Sequence, residues 1–208
     1  MTEPTETDDS AALRVMANAG DAEAQLSLGV MYANEHVVPQ DYAQAVAWYR
    51  KAAEQGHAAA QFNLGFAYKY GEGVPQDAAQ AVSWYRKAAE QGDALDQFNL
   101  GFAYKYGEGV PQDAAQAVAW YRKAAEQGYA IAQSSLGYAY ELGQGVPQDY
   151  VEAHKWFNLA ASRASAENQK QYAEGRDALA KVMTPTQIEA AQTLAREWMA
   201  AFQKRGGK

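Results

Sequence analysis

QFNLGFAYKYGEGVPQDAAQAVSWYRKAAEQGDA, residues Gln61–Ala94, returns almost unchanged as Gln97–Ala130. Only two positions differ: Ser83 against Ala119, and Asp93 against Tyr129. A self-match at a fixed offset is the mark of a stacked repeat architecture. The 36-residue period extends both ways without insertion or deletion. It aligns Gln25, Gln61, Gln97 and Gln133, then Gly29, Gly65, Gly101 and Gly137, then Tyr32, Tyr68, Tyr104 and Tyr140. Pro39, Pro75, Pro111 and Pro147 keep the same register, as do Trp48, Trp84, Trp120 and Trp156.

One period reads as two helices. Ala60, Leu64 and Tyr68 recur at the spacing of one helix face, so a first helix (A) is expected over about Ala58 to Tyr70. Gly71-Glu72-Gly73-Val74-Pro75-Gln76 breaks it: Gly71 suits the positive φ wanted after a helix end, and Pro75 cannot continue a helix interior. Asp77 starts the second helix (B). Its carboxylate can accept from free N–H groups, and Gln80 stands three residues on, as in a capping box. The pair recurs as Asp41/Gln44, Asp113/Gln116 and Asp149/Glu152. Ala81, Trp84, Tyr85, Ala88 and Ala89 form the apolar face of helix B, and Gly92 ends it, as Gly20, Gly56 and Gly128 do in equivalent turns.

A glycine in mid-helix, as at Gly65, costs about 1 kcal/mol against alanine. Four copies imply a compensating contact, a neighbouring helix packing a large side chain over the glycine. Burying a Trp or Tyr contributes up to roughly 4 kcal/mol, so packing outweighs propensity.

Leu13 to Gly20 resembles the end of a helix B, so the array opens with half a repeat. After Ala161 the period is lost and Ala164 to Val182 reads as another helix. Thr184-Pro185-Thr186-Gln187 then starts a last one, with Ile188, Ala191, Ala195, Trp198 and Phe202 as its apolar stripe. Such a helix shields the open end of a stacked core. The expected fold is all-α, an α/α superhelix (solenoid) of four 36-residue helix-turn-helix repeats with helical caps. Residues 1–9 are expected as a disordered acidic tail, 10–204 as a single solenoid domain, and 205–208 as a basic tail. Within the domain a half repeat takes 10–20, the repeats about 21–56, 57–92, 93–128 and 129–163, and the caps 164–204.

Composition narrows function. A net charge of −7 argues against a phosphate-gripping face, so no nucleic-acid partner is expected. The absence of cysteine excludes disulfides, thiolate metal sites and Cys nucleophiles. No apolar run approaches a membrane span, so no membrane insertion is expected. Met1 to Ser10 is polar and acidic and forms no signal peptide. A complete chain is therefore expected in the cytoplasm, and one that has lost a signal peptide in the periplasm or outside the cell. His36, His57 and His154 share no repeat position and no metal-ligand spacing; solvated or capping roles are expected for them, with no metal and no cofactor. The scattered acids form no acid/base pair, the repeated Asp residues already cap helices, and Gly-Glu-Gly-Val is no phosphate loop. The chain is not expected to be an enzyme.

The pattern A-x-x-x-L-G-x-x-Y, G-x-G-V-P-Q-D, A-x-x-W-Y-x-x-A-A-x-x-G resembles the Sel-one-like repeat family, a relative of the tetratricopeptide repeats. In the second repeat it is carried by Ala60, Leu64, Gly65, Tyr68, Gly71, Gly73, Val74, Pro75, Gln76, Asp77, Ala81, Trp84, Tyr85, Ala88, Ala89 and Gly92. The resemblance covers about Gly20 to Ala161, and the Thr184–Gln192 segment resembles the tail of bacterial members. It implies an α/α superhelix that binds proteins or peptides. Three departures stand out. Asn34-Glu35-His36-Val37 lacks both loop glycines, so that turn is expected to be shaped differently. Asp96 replaces the alanine found at Ala24, Ala60 and Ala132, and is expected near an edge and wet, because an unpaired buried Asp is costly. The disulfide that some members carry in each repeat is missing, which leaves stability to packing.

The candidate site is a surface. By analogy with related solenoids, helix A lines the concave side, and the residues turned away from its packed face are Phe62, Asn63, Phe66, Lys69 and Tyr70. Their equivalents are Phe98, Asn99, Phe102, Lys105 and Tyr106, with Tyr138 in the last repeat. Phe66 and Phe102 are the expected anchors, the Asn side chains suit a peptide backbone, and Lys69 and Lys105 suit a carboxylate. Phe62 and Phe98 also fit simple packing between repeats, and Phe66, Phe102 and Tyr138 fit packing as well as they fit binding. The expected function is a non-catalytic adaptor or scaffold, monomeric, binding a protein or peptide partner. The alternatives are an envelope protein that binds glycan or peptidoglycan and a purely structural spacer.

Overall fold

A computed structural model describes residues 8–34 and 39–207. Among them every regular element is an α-helix: α1 (Asp8–Asn18), α2 (Ala22–Ala33), α3 (Tyr42–Glu54), α4 (Ala58–Tyr70), α5 (Ala78–Glu90), α6 (Ala94–Tyr106), α7 (Ala114–Glu126), α8 (Ala130–Leu142), α9 (Tyr150–Arg163), α10 (Ala166–Ala180) and α11 (Pro185–Lys204). The A helices are α2, α4, α6 and α8; the B helices are α3, α5, α7 and α9. The helices group into two compact units. One runs to Gly92 and takes in Glu108–Val110; the other comprises Asp93–Gly107 and the chain from Pro111 onward.

The contact over the mid-helix glycine is present in every repeat. A Cβ on Gly65 would lie 2.8 Å from the Tyr85 ring, on Gly101 2.7 Å from Tyr121, and on Gly137 2.8 Å from Phe157. Gly29 meets Tyr49 in the same way. Leu28, Leu64, Leu100 and Leu136, each beside its glycine, are fully buried. The missing side chain leaves room for the helix B ring to reach the backbone of helix A.

The loop glycine does a second job. Gly73, Gly109 and Gly145 have φ of +72° to +74°, and a Cβ there would collide with the carbonyl of Tyr42, Ala78 and Ala114 respectively. Each loop thus rests on the first turn of the preceding repeat's helix B. Gln76, Gln112 and Gln148 donate from Nε2 to the carbonyls of Lys69, Lys105 and Glu141, closing the end of each helix A.

The caps behave differently from a full capping box. The carboxylate of Asp77 accepts from the Gln80 N–H at 3.0 Å. Its own N–H, which a Gln80 side chain would satisfy in a box, donates instead to the Tyr68 carbonyl at 2.9 Å. Asp41, Asp113 and Asp149 repeat this with Tyr32, Tyr104 and Tyr140. Thr184 of α11 does form the complete box with Gln187.

In the first unit α1 packs on α2 as a helix B would: Gln25 Nε2 donates to Ala17 O at 3.0 Å, matching Gln61 to Ala53 at 3.1 Å. These buried glutamines also accept from the next helix B, Gln55 to Gln25 and Gln91 to Gln61, both at 2.8 Å. In the second unit Gln127 donates to Gln97. Gln133 has no such donor, because Arg163 stands at the equivalent place and donates to Gly128 O instead; the Gln133 Oε1 is buried without a partner. Periodicity gives these glutamines a register but does not reveal this ladder. The far end is closed by α11. Its Ala191 and Ala195 are buried, Trp198 meets Trp156 edge-on at 6.2 Å, and Phe202 lies under the Arg163 guanidinium at 4.4 Å.

Four sequence expectations need correction. Helix α1 begins at Asp8, so the expected tail over 1–9 gives up its last two residues to a helix; residues 1–7 lie outside those described. The first turn, expected to differ, needs no correction: α2 ends at Ala33 with Asn34 extended, one residue short of its counterparts, while Glu35–Val38, His36 included, lie outside the described residues. His154 is neither solvated nor capping. It is 3% exposed, burial and then the Arg176 charge hold its imidazole below the usual range against an opposing pull from Asp177, and Nδ1 has no partner. His57 is the N-cap residue of α4, but its ring meets Glu23 at 2.9 Å and caps nothing.

Asp96 is the fourth correction. It is 5% exposed, not wet, as its counterparts Ala24, Ala60 and Ala132 are also buried at that position. Burial, and secondarily the Asp93 carboxylate, raise its carboxyl to about 7. A raised folded-state value stabilises fully below the unfolded value near 4 and loses that contribution as pH climbs through 7.

This packing has two measurable consequences. Helix propensity alone makes Gly65→Ala stabilising by about 1 kcal/mol; the ring contact reverses the sign, and urea denaturation should show a loss of about 1–3 kcal/mol. Asp96→Ala should stabilise the protein, and its gain over the parent should be on the order of 2–4 kcal/mol larger at pH 8 than at pH 4. A pH-independent gain would show that Asp96 is not a buried, proton-holding carboxyl.

Candidate binding surface

Within each A helix the Ala, Gln, Leu and Gly positions face the core, which turns the next positions outward. On α4, Phe66 and Tyr70 are 40% and 55% exposed, one turn apart, with ring centroids 4.4 Å apart. Phe102 and Tyr106 repeat the pair on α6 at 4.4 Å. Tyr138 on α8 is 38% exposed and stands edge-on to Phe157 at 4.8 Å. Asn63 and Asn99 are half-buried.

Phe62 and Phe98 are placed otherwise. Both are half-buried, with rings turned to the B-helix tyrosines, Phe62 to Tyr85 at 5.6 Å and Phe98 to Tyr121 at 5.4 Å. They continue the stack that lies over Gly65 and Gly101, so most of their contact is with the fold itself.

The lysines also diverge. Lys69 Nζ is 2.8 Å from the Glu108 carboxylate, so it meets an acid of its own chain. It also lies 5.7 Å from the Tyr70 ring. Lys105 lies 5.2 Å from the Tyr106 ring and makes no ion pair among the described residues.

Between α2 and α4, and again between α6 and α8, the surface opens into a cleft floored by the intervening helix B. In the first unit the cleft holds about 400 Å³. Its walls are Val30, Ala33 and Asn34 on one side and Asn63, Phe66 and Ala67 on the other, its floor is Tyr42, Ala45, Val46 and Tyr49, and Glu72 stands at its rim. The second unit has the equivalent cleft two repeats on, walled by Lys105, Ser135, Tyr138 and Ala139 and floored by Ala114, Ala117, Val118 and Tyr121, with Gln144 at the rim. It holds only about 30 Å³, since Lys105 stands where the first has Ala33. Burial keeps both floor tyrosines protonated: it raises Tyr49 to about 12, with a smaller push from Glu72, and raises Tyr121 further.

The B-helix floor was missed by reasoning that assigned the surface to helix A alone. The signal was available in the aromatic residue that follows each repeated Trp, Tyr in the first three repeats and Phe157 in the last. The same ring that covers the glycine reaches the cleft, a double use that periodicity does not reveal.

Comparison with known proteins now gives this architecture its class. Four consecutive segments, residues 22–57, 58–93, 94–129 and 130–165, match the Sel1 repeat. The chain belongs to the Sel1 repeat family, and its fold is that of the family's α/α solenoids. It is similar to the crystal structure of a Sel1 repeat protein from Oxalobacter formigenes, with 38% identity and a TM-score of 0.72 over 82% of this chain and 49% of that one. It is also similar to c5321, a protective antigen of uropathogenic Escherichia coli with the same repeat fold, with 33% identity and a TM-score of 0.53 over 94% of this chain and 50% of that one. The chain thus spans about half the length of these two relatives. A comparison with curated protein sequences finds no match. Sel1 repeat proteins are in general non-catalytic protein-interaction scaffolds. Among the described residues no helix is long and apolar enough to cross a membrane.

The split between packed and outward rings is measurable. Phe62→Ala should lower stability by about 1–3 kcal/mol, whereas Phe66→Ala should lower it by less than about 1 kcal/mol. Equal losses in chemical denaturation would mean that the Phe66 ring contributes to the fold as much as the Phe62 ring does.

Proposed function

We propose that the chain is a non-catalytic adaptor that binds an extended segment of a partner protein along the outward faces of its A helices, with partner side chains entering the clefts floored by the B helices. The observation that carries this reading is the repeated aromatic pair, Phe66 with Tyr70 and Phe102 with Tyr106, standing exposed or half-exposed beside those clefts. A folded chain has no packing need to hold large rings at a surface. Desolvating such rings against a partner is where binding energy concentrates. Half-buried Asn63 and Asn99 supply donors and acceptors for the partner's backbone. An extended strand advances about 3.3 Å per residue, so alternate side chains fall on one face and suit clefts that repeat along the chain.

The test compares the intact protein with a Phe66→Ala, Phe102→Ala, Tyr138→Ala variant that circular dichroism shows to be folded. Both serve as bait in a bacterial lysate. The expected result is a protein retained by the parent and lost by the variant. Identical capture by both baits, or none by either, would overturn the proposed surface.

A further inference from the structure

The adaptor reading leaves open what the partner presents, and the charges along the repeats address that. Each repeat has a position at the end of helix A, held by Ala33, Lys69, Lys105 and Glu141, and the three described loops have an acid position, held by Glu72, Glu108 and Gln144. Lysine of one repeat reaches the loop of the next, as Lys69 does to Glu108 at 2.8 Å. The scheme lapses at Glu72. Its lysine would come from position 33, which is alanine, and among the described residues Glu72 makes no ion pair or side-chain hydrogen bond.

The same alanine opens the cleft. With Ala33 and Val30 in place of Lys105 and Phe102, about 400 Å³ is free beneath Glu72, against about 30 Å³ two repeats on. The Glu72 charge reaches the floor, where it adds to burial in raising the Tyr49 hydroxyl. One wall is the exposed Phe66 ring. A half-buried carboxylate, an aromatic face and an aliphatic lining of Val30, Ala33 and Val46 are what a long cationic side chain matches. Its stem packs on the aliphatics while its head meets carboxylate and ring.

We infer that the cleft between α2 and α4 is a specificity pocket for an arginine or lysine side chain of the bound segment, which takes the place that a lysine of this chain occupies at Glu108. The inference rests on the adaptor reading and adds the charge that the partner carries. The Lys105 cleft makes the contrast: it has its own cation and an uncharged Gln144, and does not select a basic residue.

The probe is a library of random twelve-residue peptides displayed on phage, selected on the full chain and sequenced. Peptides enriched on the parent should share an arginine or lysine at one fixed position. Glu72→Gln should cut binding of an enriched peptide by about tenfold, the scale of one charge-assisted hydrogen bond. Glu72→Lys should move the preference to Asp or Glu. Ala33→Lys, which gives Glu72 the internal partner that Glu108 has, should abolish the basic preference without touching the carboxylate. Circular dichroism checks the fold of each variant. An enriched set with no fixed basic position, or one unchanged by Glu72→Gln and Ala33→Lys, overturns the pocket; the adaptor reading survives this if the triple aromatic variant still loses those peptides. No enrichment on the parent overturns both.

Discussion

The ring of a B helix lying on the bare backbone of an A-helix glycine is the contact on which the rest depends. It places an aromatic ring in the space that any side chain at the glycine would need. Gly65 and Tyr85, Gly101 and Tyr121, and Gly137 and Phe157 all make it, and the last pair shows that the hydroxyl is not required. Once the helices are this close, alanine is the side chain that fits between them, which is why Ala52, Ala60, Ala88, Ala124, Ala132 and Ala160 are fully buried. The alanine-rich composition follows from the glycine contact. Packing at this spacing leaves little tolerance, so an added Cβ or a buried carboxylate has nowhere to go.

The loops carry the arrangement from one repeat to the next through backbone groups. The loop glycine sits against a carbonyl of the preceding helix B, the Gln of the loop closes helix A, and the Asp N–H turns back to a tyrosine carbonyl. Each of these contacts has a main-chain partner, and the glycine and glutamine that make them recur in the loops at 71–77, 107–113 and 143–149. The buried glutamine ladder depends instead on a second side chain, and where Arg163 replaces that side chain an acceptor is stranded at Gln133.

Repeats differ at outward positions of helix A and at the cleft rims, as with Val30 against Phe66, Ala33 against Lys69 and Glu108 against Gln144, and also inside the frame of the last repeat, where His154 and Phe157 replace Val118 and Tyr121. A nearly invariant frame with variable rims is a physical basis for selectivity in a repeat protein. Asp96, like His154, is a titratable residue buried in the frame itself, and burial raises its carboxyl to about 7.

The sequence by itself determined the helices of the repeats, the turn glycines, the glycine–aromatic contact and the capping of the last helix. All of these are local or strictly periodic, and a 36-residue repeat displays each several times. It also located the outward aromatics Phe66, Tyr70, Phe102, Tyr106 and Tyr138, because helical spacing divides inside from outside. Only the tertiary structure decided which partners meet across repeats. It turned Phe62 and Phe98 into the fold, bound Lys69 to Glu108, brought the floor tyrosines into the clefts and buried Asp96 and His154. The physical reason is that those outcomes depend on distances between side chains far apart in the chain, or on the volume left by a neighbour, and periodicity fixes a residue's direction without fixing what it meets.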